Sequence, residues 1–203
     1  LGVWLESLAR AERLAIGPLR LAFETMKDAM KRLADLTDRE LTWTQPGAFK
    51  MHYELHAGDE LAATLRFRSS FGSLATGESA DGCWTFKRVG FFQTRATIRV
   101  CGEETDIAVF RNNTWSGGGA LELPDGRRVL ATTNLWQTNL EFKTESEEAL
   151  LRFKSAGLIH LSALVEIQRE AIGLAELPWM VMLGCYLIVM MNMDAAAAAV
   201  VIS

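Results

Sequence analysis

The chain has 203 residues, 49% of them hydrophobic and 23% charged, which suits one sizeable core, or a core with an appendage, and excludes disorder for most of its length. Its net charge of -4 and pI near 5.5 speak against a general nucleic-acid binder, because such domains need a basic excess to displace counterions from phosphates. Cys83, Cys101 and Cys185 are odd in number, widely spaced and set among apolar residues, with no CxxC pair; the expectation is buried free thiols in a reducing cytosol.

The first 38 residues read as an N-terminal helical segment. Trp4 and Leu8 recur at helical spacing, and after the break at Gly17 and Pro18 so do Leu19, Phe23, Met26, Met30 and Leu33. Glu24, Lys27, Asp28, Lys31, Arg32 and Asp35 fill the other face of the second piece, as on a surface helix that docks by one stripe. Glu6, Arg10, Glu12 and Arg13 interrupt the opening stretch, so no secretory signal is expected there and the location is read as cytoplasmic.

From 40 to about 168 the period switches to two. Thr64, Arg66 and Arg68 alternate with Leu65 and Phe67; Arg95, Thr97 and Arg99 with Ala96, Ile98 and Val100; Asn139, Glu141 and Lys143 with Leu140 and Phe142. One face is wet and the other buried. Turn residues recur at Gly58-Asp59, Asp81-Gly82, Gly102-Glu103, Asn112-Asn113, 117–119 and Pro124-Asp125-Gly126. The spacing predicts eleven or twelve short antiparallel strands, a barrel or sandwich without room for parallel crossovers.

Residues 178–202 are apolar almost all the way round, and a helix without a polar face needs a bilayer or a protein shell on every side. A sheet of so many strands, if closed, is too wide for strand side chains alone to fill. The expected fold is therefore mainly β: a closed antiparallel barrel of about twelve strands, spanning 39–203, around a buried C-terminal helix that crosses it from end to end. Gly184 and the run from Ala195 to Ala199 would let strands approach, while Tyr186, Asn192 and Asp194 would need hydrogen-bond partners near the mouth. The alternative is a tail anchor with a cytosolic β domain, against which stand Asp194, Asn192 and the absence of any Lys or Arg after Arg169.

Three stretches carry a resemblance: Gly82-Cys83-Trp84-Thr85-Phe86-Lys87-Arg88, Leu123-Pro124-Asp125-Gly126-Arg127 and Leu177-Pro178-Trp179-Met180-Val181-Met182-Leu183-Gly184-Cys185-Tyr186. With the layout of 40–203, they resemble the tubby-like barrel superfamily, which includes tubby C-terminal domains, phospholipid scramblases and the LURP-one-related proteins, and in particular its small bacterial members. No stretch matches the calcium-binding or palmitoylated segments of scramblases, so scrambling is not implied. Tubby domains read phosphoinositide head groups with basic residues on the barrel surface, which implies a similar use of Arg66, Arg68, Arg95 and Arg99 on neighbouring strands.

Catalytic motifs are missing. The sequence has no GxxxxGK[ST] loop, GxSxG elbow or HExxH helix. His52 and His56 fall in a stretch from Phe49 to Leu55 that reads as a strand, where residues four apart lie about 13 Å distant, too far for one metal. His160 stands alone beside a turn. The glycines at 117–119 read as a hairpin turn, the acids Glu145, Glu147 and Glu148 as a solvated loop, and Trp43, Trp84, Trp115 and Trp136 as core packing in or beside strands. The expected function is a non-catalytic binding or scaffold module without cofactor or metal, docking on an anionic membrane surface or a protein partner. An enzyme of unrecognised type is the remaining alternative.

Overall fold

The computed structural model describes residues 30–47, 50–70, 72–90, 94–113, 118–134, 138–156 and 160–202. Twelve strands run up and down in sequence order and close into one antiparallel barrel. They are β1 (Leu41–Thr44), β2 (His52–Ala57), β3 (Glu60–Phe67), β4 (Ala75–Ser79), β5 (Gly82–Val89), β6 (Arg95–Val100), β7 (Ala108–Asn113), β8 (Gly118–Glu122), β9 (Arg128–Thr133), β10 (Asn139–Thr144), β11 (Ala149–Ala156) and β12 (Ser162–Ile167). β12 pairs back onto β1, Val165 opposite Leu41 and Ala163 opposite Trp43, so no edge is left open in the ladder.

The period-two pattern has the expected cause. Leu41, Trp43, Leu55, Leu65, Phe86, Ile98, Leu121, Phe142 and Phe153 point inward and are almost wholly buried, while their strand neighbours are partly or fully exposed apart from the buried Thr64 and Thr97. Bulges between Leu55 and His56 and between Phe142 and Lys143 adjust the register. β2 starts at His52, three residues later than the strand expected from Phe49.

The helix α1 (Leu177–Ile202) threads this shell. Residues from Leu177 to Met190 are buried apart from the half-buried Pro178 and Leu187. Tyr186 stacks between Phe67 and Phe86, with ring centroids 5.6 and 5.7 Å away. Gly184 has no room for a side chain, since a Cβ there would run into the Phe153 ring. By length and composition Leu177–Ala199 passes for a membrane span, yet 61% of that window is buried in the barrel.

Two expectations are corrected. The helix does not stay inside from end to end: Asn192 and everything described from Asp194 to Ala199 is exposed, so the alanine run lies beyond the barrel and lets no strand approach. Cys83 and Cys101 are not free thiols but a disulfide joining the start of β5 to the residue after β6, and only Cys185 is a buried free cysteine. Of the N-terminal helical pair, residues 1–29 lie outside the described residues. The described remainder is a 3₁₀ turn, Leu33–Leu36, which buries Leu33 and Leu36 in the barrel core. It is tied down by Leu33 N donating to Asp81 Oδ2 (3.0 Å) and by Arg39 donating to Glu60 and to the Ala57 carbonyl.

Candidate functional site

An up-and-down barrel sends its connections alternately to two ends, and here the ends differ in chemistry. α1 enters after β12, at the end that holds the β2–β3, β4–β5, β6–β7, β8–β9 and β10–β11 turns. Those turns carry Asp59, Asp81, Glu103, Glu104, Asp106, Asp125, Glu145, Glu147 and Glu148. The helix leaves at the opposite end, beside the connections that follow β1, β3, β5, β7, β9 and β11. In sequence those six connections contain no Asp or Glu. They hold instead Phe49, Phe71, Phe91, Phe92, Trp115 and Trp136, which lie outside the described residues.

At this exit the helix is pinned by polar contacts. The Tyr186 hydroxyl donates to the Ser73 carbonyl (2.8 Å), and Arg88 Nη1 donates to both carboxylate oxygens of Asp194 (2.8 and 2.7 Å). Two of the three polar residues expected to find partners near the mouth thus do so, and Asn192 faces solvent. Burial pushes the Tyr186 phenol up to about 12.

The four arginines singled out in the sequence divide into two kinds. Arg66 Nε donates to His52 Nε2 (3.3 Å), and Arg99 Nε is paired with Asp106 (2.6 Å). Through the register Arg66–Thr76–Thr85–Arg99 these two share one row, three strands apart, or about 14 Å. Arg68, just after β3, and Arg95, the first residue of β6, sit instead at the exit end. Neither makes an ion pair among the described residues. Lys50 and Lys87, two cations not singled out as contacts, are also exposed, unpaired and near that end. Arg169 lacks an ion pair too, but lies at the acidic end.

Arg95 stands directly opposite Arg111 in the β6–β7 ladder, an arrangement that like charges disfavour. Arg111 is partly neutralised by Glu122 (2.8 Å). Both arginines and Arg128 border a surface groove of about 760 Å³ whose floor includes Gly119 and Ala120. Gly119 permits the tight β8 packing beneath it, because a Cβ there would strike the Arg111 carbonyl and the Phe110 ring. Cations with spare hydrogen-bond donors around a shallow groove can take phosphate or carboxylate oxygens.

The remaining candidates are placed as follows. Glu54 lies between His52 (3.7 Å) and His56 (3.1 Å) on the outer face of β2, and burial together with nearby Arg66 lowers the His52 pKa. Among the described residues no group of three His, Cys, Asp or Glu is placed to hold a metal. His160 is exposed. Gly118 and Gly119 belong to β8, at the β7–β8 hairpin, and Gly117 lies outside the described residues. Glu145, Glu147 and Glu148 form an exposed turn in which Glu145 meets Arg128 (3.6 Å) and Glu147 meets Lys143 (3.5 Å). Trp43 and Trp84 are buried inside the barrel, whereas Trp115 and Trp136 are outside the described residues.

Comparison with known proteins adds no neighbour: no family model matches the chain, and no characterised protein or solved structure matches it significantly.

Proposed function

We propose that this chain is a non-catalytic module that docks on anionic lipid surfaces, with the helix-exit end toward the lipid. One observation carries the reading: exposed cations without ion pairs among the described residues, Lys50, Arg68, Lys87 and Arg95, gather where the connections are free of acids, and the acidic turns gather at the far end. Such a charge dipole orients the barrel in the field of an anionic leaflet. A closed twelve-strand barrel threaded by an apolar helix supports placing the chain with the tubby-like barrels, whose tubby members hold head groups through surface cations. The Cys83–Cys101 disulfide removes the thiol argument for a reducing cytosol.

Vesicle co-sedimentation tests the reading. Binding should appear on adding phosphatidylserine to phosphatidylcholine and fade with salt. At about 1 kcal/mol per surface cation, the combined change Arg68→Ser, Lys87→Ser and Arg95→Ser should weaken binding roughly a hundredfold. Arg99→Ser should do much less, since Asp106 already pairs with that side chain. Equal binding to neutral vesicles, or indifference to the triple change, would overturn the reading. A protein partner is the alternative occupant, and it predicts no vesicle binding at all.

A further inference from the structure

Beyond Asp194 the helix continues into open solvent with an apolar sequence. Ala195 to Ala199 are exposed, the helix runs on to Ile202, and residues 195–202 carry no charge. An apolar helix end left in water asks for a cover, and the surroundings restrict which one. A second copy docking end to end would bring two cation-rimmed mouths together, with Arg68, Lys87 and Arg95 on each and no acids in the connections to offset them. A bilayer with anionic head groups meets both needs, since its charge matches the rim and its hydrocarbon matches the helix.

We propose that the segment after Asp194 is a membrane peg: on docking it enters one leaflet, while the barrel stays outside. The described helical residues 195–202 rise about 12 Å, within the roughly 15 Å hydrocarbon depth of a single leaflet. Asp194, held by Arg88 on the rim, marks the stop, and Asn192 and Arg88 then sit at head-group level. The buried half of the helix cannot follow without leaving Tyr186, Leu183 and Gly184 unpacked from the barrel.

The inference rests on the lipid-docking reading above, and one labelling experiment separates their failures. The native thiols do not compete, because Cys83 and Cys101 are bonded to each other and Cys185 is buried. An Ala197→Cys variant carrying an environment-sensitive NBD dye is mixed with phosphatidylcholine–phosphatidylserine vesicles, and a Ser146→Cys variant, labelled at the acidic end, serves as reference. The dye at 197 should shift to the blue, brighten and be quenched by spin-labelled acyl chains, and the dye at 146 should not change. Adding Ala196→Asp and Ala198→Asp, both outside the barrel, should weaken vesicle binding roughly tenfold per acid. If the protein pellets with the vesicles but the dye at 197 stays as in buffer, surface docking stands and the peg is wrong. If nothing pellets, the docking reading falls and the peg with it. A blue shift in buffer alone that grows with protein concentration would assign the cover to a second copy and overturn the peg.

Discussion

Gly184 offers a direct measure of how tightly the shell holds the rod. A Cβ at 184 would penetrate the Phe153 ring on β11. Met182, two residues earlier and about 200° around the helix, packs on β4, where a Cβ on Gly77 would come within 2.5 Å of the Met182 sulfur and 2.9 Å of Phe86 Cε2. The helix is wedged between β11 and β4 and cannot back away from either. Gly184→Ala therefore sets two terms against each other. The helix interior gains about 1 kcal/mol in backbone propensity, and overpacking costs about 1 to 3 kcal/mol. With both sides blocked the cost belongs at the upper end, so the net expectation is a loss of about 1 to 2 kcal/mol. Urea unfolding, read as a lower midpoint at unchanged slope, measures it. In a Phe153→Leu background the clash is relieved and Gly184→Ala should become neutral or stabilising, a coupling of at least about 1 kcal/mol. Stabilisation by Gly184→Ala in the otherwise native chain would show slack around the helix and refute the encirclement.

Two further expectations follow from the core and the hairpins. Tyr186 ionises in the folded chain only near pH 12, whereas the unfolded chain loses that proton near 10; between these values the folded state keeps a proton the unfolded state has released. Stability should thus fall as pH rises through that window, by up to about 1.4 kcal/mol per pH unit from this group, and Tyr186→Phe should flatten the slope measured by urea titration. Tyr53 is raised still further by burial and adds to the same trend, so a partial flattening is expected and a profile identical to the parent's would count against the burial argument. The Cys83–Cys101 bond closes a loop with a sequence separation of 18, for which chain entropy gives about 3 kcal/mol. Replacing both by Ser should lower stability by that order, and a thiol assay should find no reactive sulfur in the folded protein and one after denaturation. Three thiols in the denatured, unreduced protein would contradict the pairing.

Much of the barrel was legible because its strands obey one rule. β6 throughout, β3 from Thr64 and β10 up to Lys143 alternate a polar residue with an apolar one, and turn residues punctuate them, so strand number and closure around the apolar helix could be read directly. The disulfide was overlooked although its signal was present: residues 83 and 101 are equidistant from position 92, within the β5–β6 connection, so a hairpin there sets them opposite each other. Among the arginines, sequence alone could not separate Arg99, whose partner Asp106 lies across the β6–β7 turn, from Arg95, whose cross-strand neighbour is another arginine. The contrast between the ends was also latent. Alternate turns are acidic and the others free of acids, an alternation that shows only once the strands are numbered.

The misjudged reach of the helix has a geometric reason that strand lengths already contained. Strands of four to eight residues, tilted as a closed barrel requires, make a wall about 15 to 20 Å high. A helix fills that height with about 10 to 13 residues, whereas the apolar tail of 26 residues is about 39 Å long. A shell of this height can sheathe about half of such a rod, and burial duly changes near Met190 although the sequence stays apolar on both sides. The uniform hydrophobicity of the tail therefore serves two environments. Up to Met190 it is the core of the protein's own barrel, and past Asp194 the same chemistry has no protein around it, which makes the exit end the place where this fold meets something other than itself.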